Sequence, residues 1–330
     1  MRYLSLFSGI GGFELGIQQA YETIYNLRPI QQSDSKGTEV GDNLEDKSHK
    51  WECVGYSEID KYAIATYQKH FPTHKNYGDI TKINADELPD FDLLVGGFPC
   101  QAFSIAGKRK GFEDTRGTLF FEIARILKAK QPRLFLLENV KGLLSHDNGN
   151  TFRTIVSTLN ELGYDLQWQV LNSKNHGVPQ NRERVFIIGH LRGTSRPEVF
   201  PFGGEHSETE PRQREVSDKV ISNCISTHEG SKSRAENGAS FIQQLNNPTH
   251  SNDRVYGTEG VSPTLNTMQG GNRQPFIPEG SSIRRLTPTE CERLQGFPDG
   301  WTIGSDTQRY KQCGNAVTVN VIKDIMMKLV

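Results

Sequence analysis

The segment RYLSLFSGIGGFELGIQQAY, residues 2–21, decides the fold of this chain. Its first six residues are mostly apolar and predict a buried strand, and the glycines of residues 8–12 predict a tight turn. Apolar residues then recur at the spacing of one helix face: Phe13, Leu15, Ile17 and Ala20. A strand, a glycine turn and a helix in this order are typical of the nucleotide-binding unit of a doubly wound α/β domain.

The chain repeats this alternation as far as residue 191. Apolar runs predict strands at residues 51–58, 74–80, 91–97, 133–140, 166–173 and 184–191. Helical spacing falls between them at residues 59–71, 118–130 and 151–164. We therefore expect an α/β fold with a doubly wound, mostly parallel sheet.

A change in composition predicts two domains. After about residue 190 the chain is rich in Ser, Gly, Asn, Gln and Pro, and long helical patterns vanish. We expect residues 1–190 together with 305–330 to form the first domain, since the apolar C-terminal stretch could return to it. Residues 191–304 would form a second, smaller domain rich in loops and strands, with a hinge that includes a capped helix. Residues 28–50 are polar and almost without apolar side chains, which indicates a surface insertion.

Composition excludes several classes of protein. No apolar run reaches the roughly 18 residues of a membrane span, and the N-terminal apolar stretch is too short for a signal peptide. The five cysteines are far apart, which argues against a zinc site or a disulfide framework and for a reducing cytoplasm. The net charge of −1 gives no support to nucleic-acid binding, so only a local basic patch could provide it.

Three predicted strand ends could bind a nucleotide-type cofactor. Gly9 and Gly11 lie in the first turn, which lacks the Lys-Ser/Thr of a phosphate-binding P-loop. Glu58 ends the second predicted strand, where an acid can bind ribose hydroxyls, and Asp79 ends the third. Each acid could instead be a solvated strand end. The three positions together fit a dinucleotide or S-adenosylmethionine and do not separate the two.

Four further residues at predicted strand ends suggest chemistry. Cys100 follows Pro99 in the segment GGFPCQAFS, after an apolar run, although a free cysteine is usually a small buried hydrophobe. Glu138 follows an apolar run, so it is a candidate acid with a raised pKa or one half of a structural ion pair. Arg182 and Arg184 are two positions apart where the last predicted strand begins. This spacing places both side chains on one face of the sheet, although an arginine pair can also be a solvated sheet edge. A thiolate, an acid and two guanidiniums suit nucleophilic addition to an electron-poor ring.

Six ordered blocks carry a resemblance to a known family. They are FSGIGGFELG, GGFPCQAFS, ENV, QNRERVFIIG, RRLTPTECERLQGFPDGW and QCGNAVTVNV, and the chain resembles the DNA (cytosine-5) methyltransferases in their order. The match covers the chain outside residues 28–50 and the variable region; the insertion is a departure from the family. The resemblance implies a Rossmann-like, S-adenosylmethionine-dependent methyltransferase fold with a target-recognition domain at 191–304.

The resemblance also implies roles for the candidate site residues. Cys100 would attack carbon 6 of a flipped-out cytosine, Glu138 would engage ring nitrogen 3 and the amine, and both arginines would bind the base and orient the site. Phe7 would stack on the adenine of S-adenosylmethionine, Glu58 would bind its ribose and Asp79 its adenine amine. Further residues of the cofactor pocket would be Gly9, Gly11, Ile80, Pro99, Leu119, Asn315 and Val317.

Two segments would bind DNA by the same resemblance. The segment after Cys100 would be a catalytic loop whose basic cluster contacts phosphates, with contacts from Gln101, Ser104, Lys108, Arg109 and Arg116. The recognition segment would contribute Arg254, Tyr256, Thr264, Leu265, Gly270, Gly271 and Arg273. Either basic run could also be a solvated surface.

Three other functions compete with DNA methylation. A small-molecule dehydrogenase would explain the glycine turn, Glu58 and Asp79 but would leave Cys100 and Glu138 without a purpose. A DNA-binding module without catalysis would not need the candidate catalytic residues. An RNA cytosine methyltransferase is closer, but the large second domain favours double-stranded DNA. We expect a cytoplasmic monomer without a metal or a membrane contact, with room for a cognate restriction endonuclease that acts on the same site.

Overall fold

The computed structural model describes residues 1–27, 51–99, 119–202, 242–248, 250, 253–266 and 274–329. Several of the predictions above lie outside these residues, among them the insertion at 28–50. So do the predictions for Cys100, Gln101, Ser104, Lys108, Arg109, Arg116, Gly270, Gly271 and Arg273.

A central sheet of six strands forms the frame of the molecule. The described strands are β1 (Arg2–Leu6), β2 (Glu52–Ser57), β3 (Leu93–Gly97), β4 (Leu134–Val140), β5 (Tyr164–Asn172), β6 (Gln180–Asn181), β7 (Glu183–Leu191), β8 (Ser262–Pro263), β9 (Phe276–Glu279) and β10 (Ser282–Arg285). The central sheet has the order β2-β1-β3-β4-β7-β5. Neighbours from β2 to β4 are parallel, whereas β7 runs antiparallel to both β4 and β5. The predicted mostly parallel α/β sheet is confirmed.

Helices cover both faces of this sheet. The described α-helices are α1 (Gly12–Leu27), α2 (Lys61–His70), α3 (Leu119–Lys130), α4 (Asn150–Glu161), α5 (Pro288–Leu294), α6 (Asp306–Asn315) and α7 (Val319–Leu329). Alternate strand residues point to opposite faces, so Leu94 packs in the core beneath α3 and α4, while Leu93 and Val95 pack in the core beneath α1 and α7.

The C-terminal helix α7 packs along α1, as the apolar C-terminal stretch suggested. The two helices approach closely at Gly16, where an added Cβ would lie 2.7 Å from Ile322. Any larger side chain at residue 16 would push α7 away, because the helix contact has no room for it. The chain end therefore braces the helix that follows the glycine turn.

The prediction of a third strand at residues 74–80 is wrong. This segment makes one isolated parallel bridge, between Asn76 and Tyr56, and then turns at Gly78, whose φ is +73°. The Asn76 side chain accepts a hydrogen bond from the Gly78 amide at 2.8 Å, which closes the turn. Asp79 therefore does not end a strand but caps a short 3₁₀ helix, Ile80–Lys82.

The described part of residues 191–304 contains short strands. Strand β8 pairs with β6 beside the central sheet, and β9 and β10 form a hairpin. The expected capped helix is α5, where Thr287 and Glu290 form a reciprocal capping box. No helix in the described part of the chain is both long and apolar enough to cross a membrane.

Candidate active site

A cleft of about 370 Å³ opens where the carboxyl ends of β1, β3 and β4 meet. This is the edge at which open α/β sheets bind their ligands. The described residues that line it are Phe7, Gly9, Ile10, Glu58, Asp60, Ala63, Gly97, Phe98, Pro99, Glu138, Asn139, Val140, Arg182, Arg184, Gln308, Lys311, Gln312, Gly314 and Asn315.

The glycine turn after β1 holds an unusual backbone shape. Phe7, Gly9 and Gly11 all have positive φ, at +53°, +55° and +88°. The left-handed region costs an ordinary L-residue about 1–2 kcal/mol, so Phe7 is strained while the glycines are not. Such strain is common at ligand sites, and here it brings the half-buried Phe7 ring to the cleft.

Glu58 ties the end of β2 to the glycine turn. One carboxylate oxygen accepts from the Gly9 amide at 2.9 Å, and the other accepts from the amides of Ile59 and Asp60 at 2.8 and 2.9 Å. Glu58 therefore fixes the shape of this end of the cleft as well as lining it.

The cleft holds an ion pair between Glu138 and Arg184. Their side chains meet at 3.0 Å and are largely buried. Burial raises the pKa of Glu138, although the positive charges of Arg184 and Arg182 oppose the shift. Glu138 lies inside β4 rather than after it, in register with Gly97 of β3, where an added Cβ would lie 3.2 Å from the carboxylate.

Arg182 is a buried residue whose guanidinium joins three parts of the chain. It donates to the carbonyls of Leu265 at 3.3 Å, Gly314 at 3.2 Å and Ala316 at 2.8 Å. Burial lowers its pKa to about 9, with a further lowering from Arg184, and Glu138 partly compensates. Arg182 lines the cleft, but its hydrogen bonds go to the backbone.

The loop that leads to Cys100 is anchored to β4. The side-chain amide of Asn139 donates to the Phe98 carbonyl at 2.9 Å, and both residues are buried. Pro99 follows and lines the cleft. The last described residue before Cys100 therefore lies in the cleft that holds Glu138.

The predicted cofactor residues divide into two groups. Those that line the cleft are Phe7, Gly9, Glu58, Pro99 and Asn315. Those that are not among its described lining residues are Gly11, Asp79, Ile80, Leu119 and Val317. Asp79 accepts from the amide and the hydroxyl of Thr81, which lowers its pKa, whereas Ile80 is buried in the core.

Five polar residues of the described cleft lining were missed in the sequence: Asp60, Asn139, Gln308, Lys311 and Gln312. Asp60 is the N-cap of α2, while Lys311 and Gln312 come from α6. The sequence pointed to two of them only by position. Lys311 directly precedes the QCGNAVTVNV block, and Gln312 is the first residue of that block.

Four of the predicted recognition residues are described: Arg254, Tyr256, Thr264 and Leu265. Arg254 is exposed and Tyr256 half-buried. The Thr264 hydroxyl donates to the Asn181 carbonyl at 2.6 Å, and Leu265 is buried, with its carbonyl bonded to Arg182. The Thr-Leu pair is thus attached directly to the chain segment that enters β7.

Comparison with known proteins agrees with this architecture. The model of the C-5 cytosine-specific DNA methylase family matches residues 1–330, so the chain belongs to that family. It is 39% identical to the Type II methyltransferase M1.ScrFI of Lactococcus lactis subsp. cremoris, over 99% of this chain and 77% of the relative. It is 36% identical to the Type II methyltransferase M.HhaI of Haemophilus parahaemolyticus, over 98% and 93%. The crystal structure of the S. pombe Dnmt2 methyltransferase shares the fold, with a TM-score of 0.67 and 20% identity over 100% of this chain and 98% of that one.

Proposed function

We propose that this enzyme transfers a methyl group from S-adenosylmethionine to carbon 5 of a cytosine in double-stranded DNA, through a covalent adduct with Cys100. The observation that carries the proposal is the buried Glu138–Arg184 pair, which lies in the same cleft as Pro99, the residue before Cys100. A thiol, a carboxyl with a raised pKa and a guanidinium are the groups that addition to a cytosine ring requires.

The thiolate of Cys100 starts the reaction by adding to carbon 6 of the ring. The new carbon–sulfur bond pushes electrons toward carbon 5, which makes that carbon nucleophilic. Carbon 5 would then take the methyl group that S-adenosylmethionine supplies, with S-adenosylhomocysteine as the leaving group. A base then removes the proton from carbon 5, and the electron pair left behind expels the thiolate. A free thiol has a pKa of about 8.5, so only a minor fraction is thiolate at neutral pH, and a cation beside the thiol would raise that fraction.

Glu138 stabilises the negative charge that addition places on the ring. Because burial raises its pKa, a larger fraction of the carboxyl is protonated than at an exposed site, and it can give its proton to ring nitrogen 3. Arg184 holds the carboxyl in place at 3.0 Å and can donate to the carbonyl of the ring. Arg182 acts as a positioning residue, because its guanidinium donates to the backbone of both flanking segments.

The cleft fits S-adenosylmethionine, which supplies an electrophilic methyl group when it is bound. Glu58 lies after β2, where its carboxylate can accept from ribose hydroxyls, and Phe7 presents a ring to the same cleft for an adenine. Asn315 also lines the cleft. Asp79 is not among the described lining residues, so its contact with the adenine amine stays a prediction.

The target cytosine must leave the DNA stack to reach this cleft. Flipping it costs a few kcal/mol, which contacts in the pocket offset. Residues 191–304 would read the sequence, and the segment after Cys100 would contact phosphates with Lys108 and Arg109.

The curated relatives are named Type II methyltransferases, so a restriction endonuclease that acts on the same site is a proposed partner. We propose that the chain works as a monomer.

Bisulfite sequencing of DNA from cells that express the chain tests this proposal. We expect fully protected cytosines at one short recurring sequence, and none in cells that express Cys100→Ser. Purified enzyme with tritiated S-adenosylmethionine should label duplex DNA in preference to RNA. Labelling of RNA alone would favour the RNA methyltransferase, and the absence of any labelled nucleic acid would contradict the proposal.

A further inference from the structure

Three buried polar side chains form a chain of hydrogen bonds behind the cleft. They are Ser173, which follows β5, Gln295, which follows α5, and Thr318, which precedes α7, and each is at most 3% exposed. None of them is among the described residues that line the cleft, so the proposed reaction gives them no role. Polar groups buried this deeply are costly unless they are hydrogen-bonded, and here every link in the chain is made.

The hydrogen bonds of this chain run in one direction. The Gln295 amide nitrogen donates to the Cys313 carbonyl at 2.7 Å, so its amide oxygen faces Thr318 and accepts from that hydroxyl at 2.9 Å. A hydroxyl has one hydrogen to donate. The 2.9 Å bond between the hydroxyls of Ser173 and Thr318 therefore runs from Ser173 to Thr318. Thr318 thus fixes which way the Gln295 amide points.

The chain of bonds ends on the last turn of α6. The final carbonyls of a helix have no partner within the helix and must be satisfied from outside. In α6 the Cys313 carbonyl accepts from Gln295, and the next carbonyl, that of Gly314, accepts from Arg182 at 3.2 Å. Two side chains from distant parts of the sequence therefore hold neighbouring carbonyls of one helix end.

The helix end that they hold belongs to the wall of the cleft. Gly314 and Asn315 line the cleft, as does Arg182. Cys313 is the only apolar side chain among the buried residues of α6, so this helix has little apolar surface to anchor it. Polar contacts therefore do much to set where this wall lies relative to the residues proposed to bind the base.

We infer that Thr318 and Gln295 are positioning residues for methyl transfer, which hold the end of α6 against Arg182 and so align the cofactor side of the cleft with the base side. This inference rests on the proposed function. Transfer between two bound molecules is fast only when the reacting atoms are aligned, and a displacement of about 1 Å can cost a hundredfold in rate. A loosened helix end lowers the rate of transfer more than the affinity for either substrate, because each ligand keeps the contacts with its own wall.

Two substitutions of Thr318 distinguish hydrogen bonding from packing. Thr318→Val keeps the shape of the side chain but removes the hydroxyl that orients the Gln295 amide, whereas Thr318→Ser keeps the hydroxyl and removes a methyl group. In single-turnover assays with saturating DNA and S-adenosylmethionine, Thr318→Val should slow transfer about tenfold or more, and Thr318→Ser about twofold or less. The steady-state KM for both substrates should stay within about threefold of the wild-type values. Rates are corrected for the folded fraction, which circular dichroism measures.

Ser173→Ala is a milder variant that decides the question if Thr318→Val does not fold. It removes the donor to Thr318 but leaves the bond from Thr318 to Gln295, so transfer should slow by about threefold with KM unchanged. A wild-type rate in Ser173→Ala would then count against the inference.

Gln167→Met is the matched control. The Gln167 side chain makes a similar set of hydrogen bonds, since it donates to the Pro197 carbonyl at 3.0 Å and accepts from the amides of Val199 and Phe200 at 3.1 and 3.3 Å. It is not among the described residues that line the cleft. Gln167→Met should lower the stability of the protein and leave the transfer rate of the folded enzyme unchanged.

A double variant with Thr318→Val and Arg182→Lys tests whether the two residues act on the same helix end. Its loss of rate should be clearly smaller than the product of the two single losses, because either change already frees that end. The inference is wrong if the losses multiply, if Thr318→Ser is slowed as much as Thr318→Val, if both keep the wild-type rate, or if only KM changes. If the wild type itself transfers no methyl group, the proposed function fails and this inference fails with it.

Discussion

Glu138 and Arg184 meet diagonally across an antiparallel strand pair, with 3.0 Å between the carboxylate and the guanidinium. Arg184 of β7 is in register with Val140 of β4, two residues beyond Glu138, so the two side chains lie on the same face of the sheet. Their positions are thus set by the most regular part of the fold. In this geometry the pair is formed before any base enters.

Glu138→Gln should lower kcat by about a hundredfold or more, because Gln cannot give a proton to the ring. DNA binding should change far less. In the wild type, kcat should fall as pH rises through the raised pKa of Glu138, since the protonated form is the active one. The variant should lack that fall. Single-turnover rates across pH measure both effects, and a variant with the wild-type rate would remove Glu138 from the mechanism.

Arg182→Lys should loosen the link between the recognition segment and the cleft. The ammonium of a lysine is a point charge on a shorter side chain, so it cannot reach the carbonyls of Leu265, Gly314 and Ala316 together. Buried acceptors are then left without a hydrogen bond, which lowers the free energy of unfolding by about 1–3 kcal/mol. Since the pKa of Arg182 is about 9, the wild-type residue is charged at neutral pH. Urea unfolding measures the loss of stability. A variant as stable as the wild type would show that these hydrogen bonds contribute little.

Glu14 should make the protein less stable as pH rises. This carboxyl in the first turn of α1 is buried, and burial raises its pKa to about 7 despite a hydrogen bond from Tyr67. The groups around it are Tyr3, Cys53 and Tyr67, with His74 bonded to Tyr67, and burial keeps His74 neutral by lowering its pKa.

The folded state holds the Glu14 proton more tightly than the unfolded chain. The stabilisation is therefore complete below about pH 4 and is lost as pH rises toward 7. A shift of this size corresponds to roughly 3 kcal/mol. Glu14→Gln should gain stability relative to the wild type between pH 5 and pH 8. Urea unfolding of both proteins at pH 5 and pH 8 measures their difference in the free energy of unfolding. A difference that is the same at both pH values would contradict the raised pKa of Glu14.

Trp301→Phe should weaken cofactor binding without touching the cleft. The Trp301 indole donates to the Ile10 carbonyl of the glycine turn at 2.9 Å, and its ring stacks on His70 with 3.6 Å between centroids. Phe keeps much of the packing but leaves a buried carbonyl without this donor, at about 1–3 kcal/mol. KM for S-adenosylmethionine should rise while kcat changes little. Trp168→Phe is the control, because Trp168 is half-exposed on β5, and an equal effect of both changes would count against the role of Trp301.

The frame of the protein was predictable because its signals are local. The strands at residues 133–140 and 184–191 contain the apolar runs LFLL and VFII, and α3 has a wide apolar face, so pattern and packing agree. The segment at 74–80 failed because its apolar residues serve a turn closed by the Asn76 side chain, which periodicity does not detect. Helix α6 was missed because its sequence, DTQRYKQCGN, has no apolar stripe and is held through Gln312.

The candidate site was predictable only in part, since its residues come from distant segments. The order of the motifs predicted that Glu138 and Arg184 belong to one site, and in the structure their side chains are paired. It could not show that Arg182 would be bonded to residues 83 and 134 positions away, because those contacts are made by tertiary packing. Nor could it show that Lys311 would lie beside Asp60 at the cleft.

The central claim is that Cys100 forms a covalent bond with the target base, and mass spectrometry of a trapped complex tests it most directly. Duplex DNA with 5-fluorocytosine at the target carries a fluorine that no base can remove as a proton. With S-adenosylmethionine present, we expect a complex that survives denaturing electrophoresis and gives an adduct on the peptide that contains Cys100. Cys100→Ser should form none. An adduct that persists in Cys100→Ser, or one on Cys53, Cys224, Cys291 or Cys313, would contradict the mechanism.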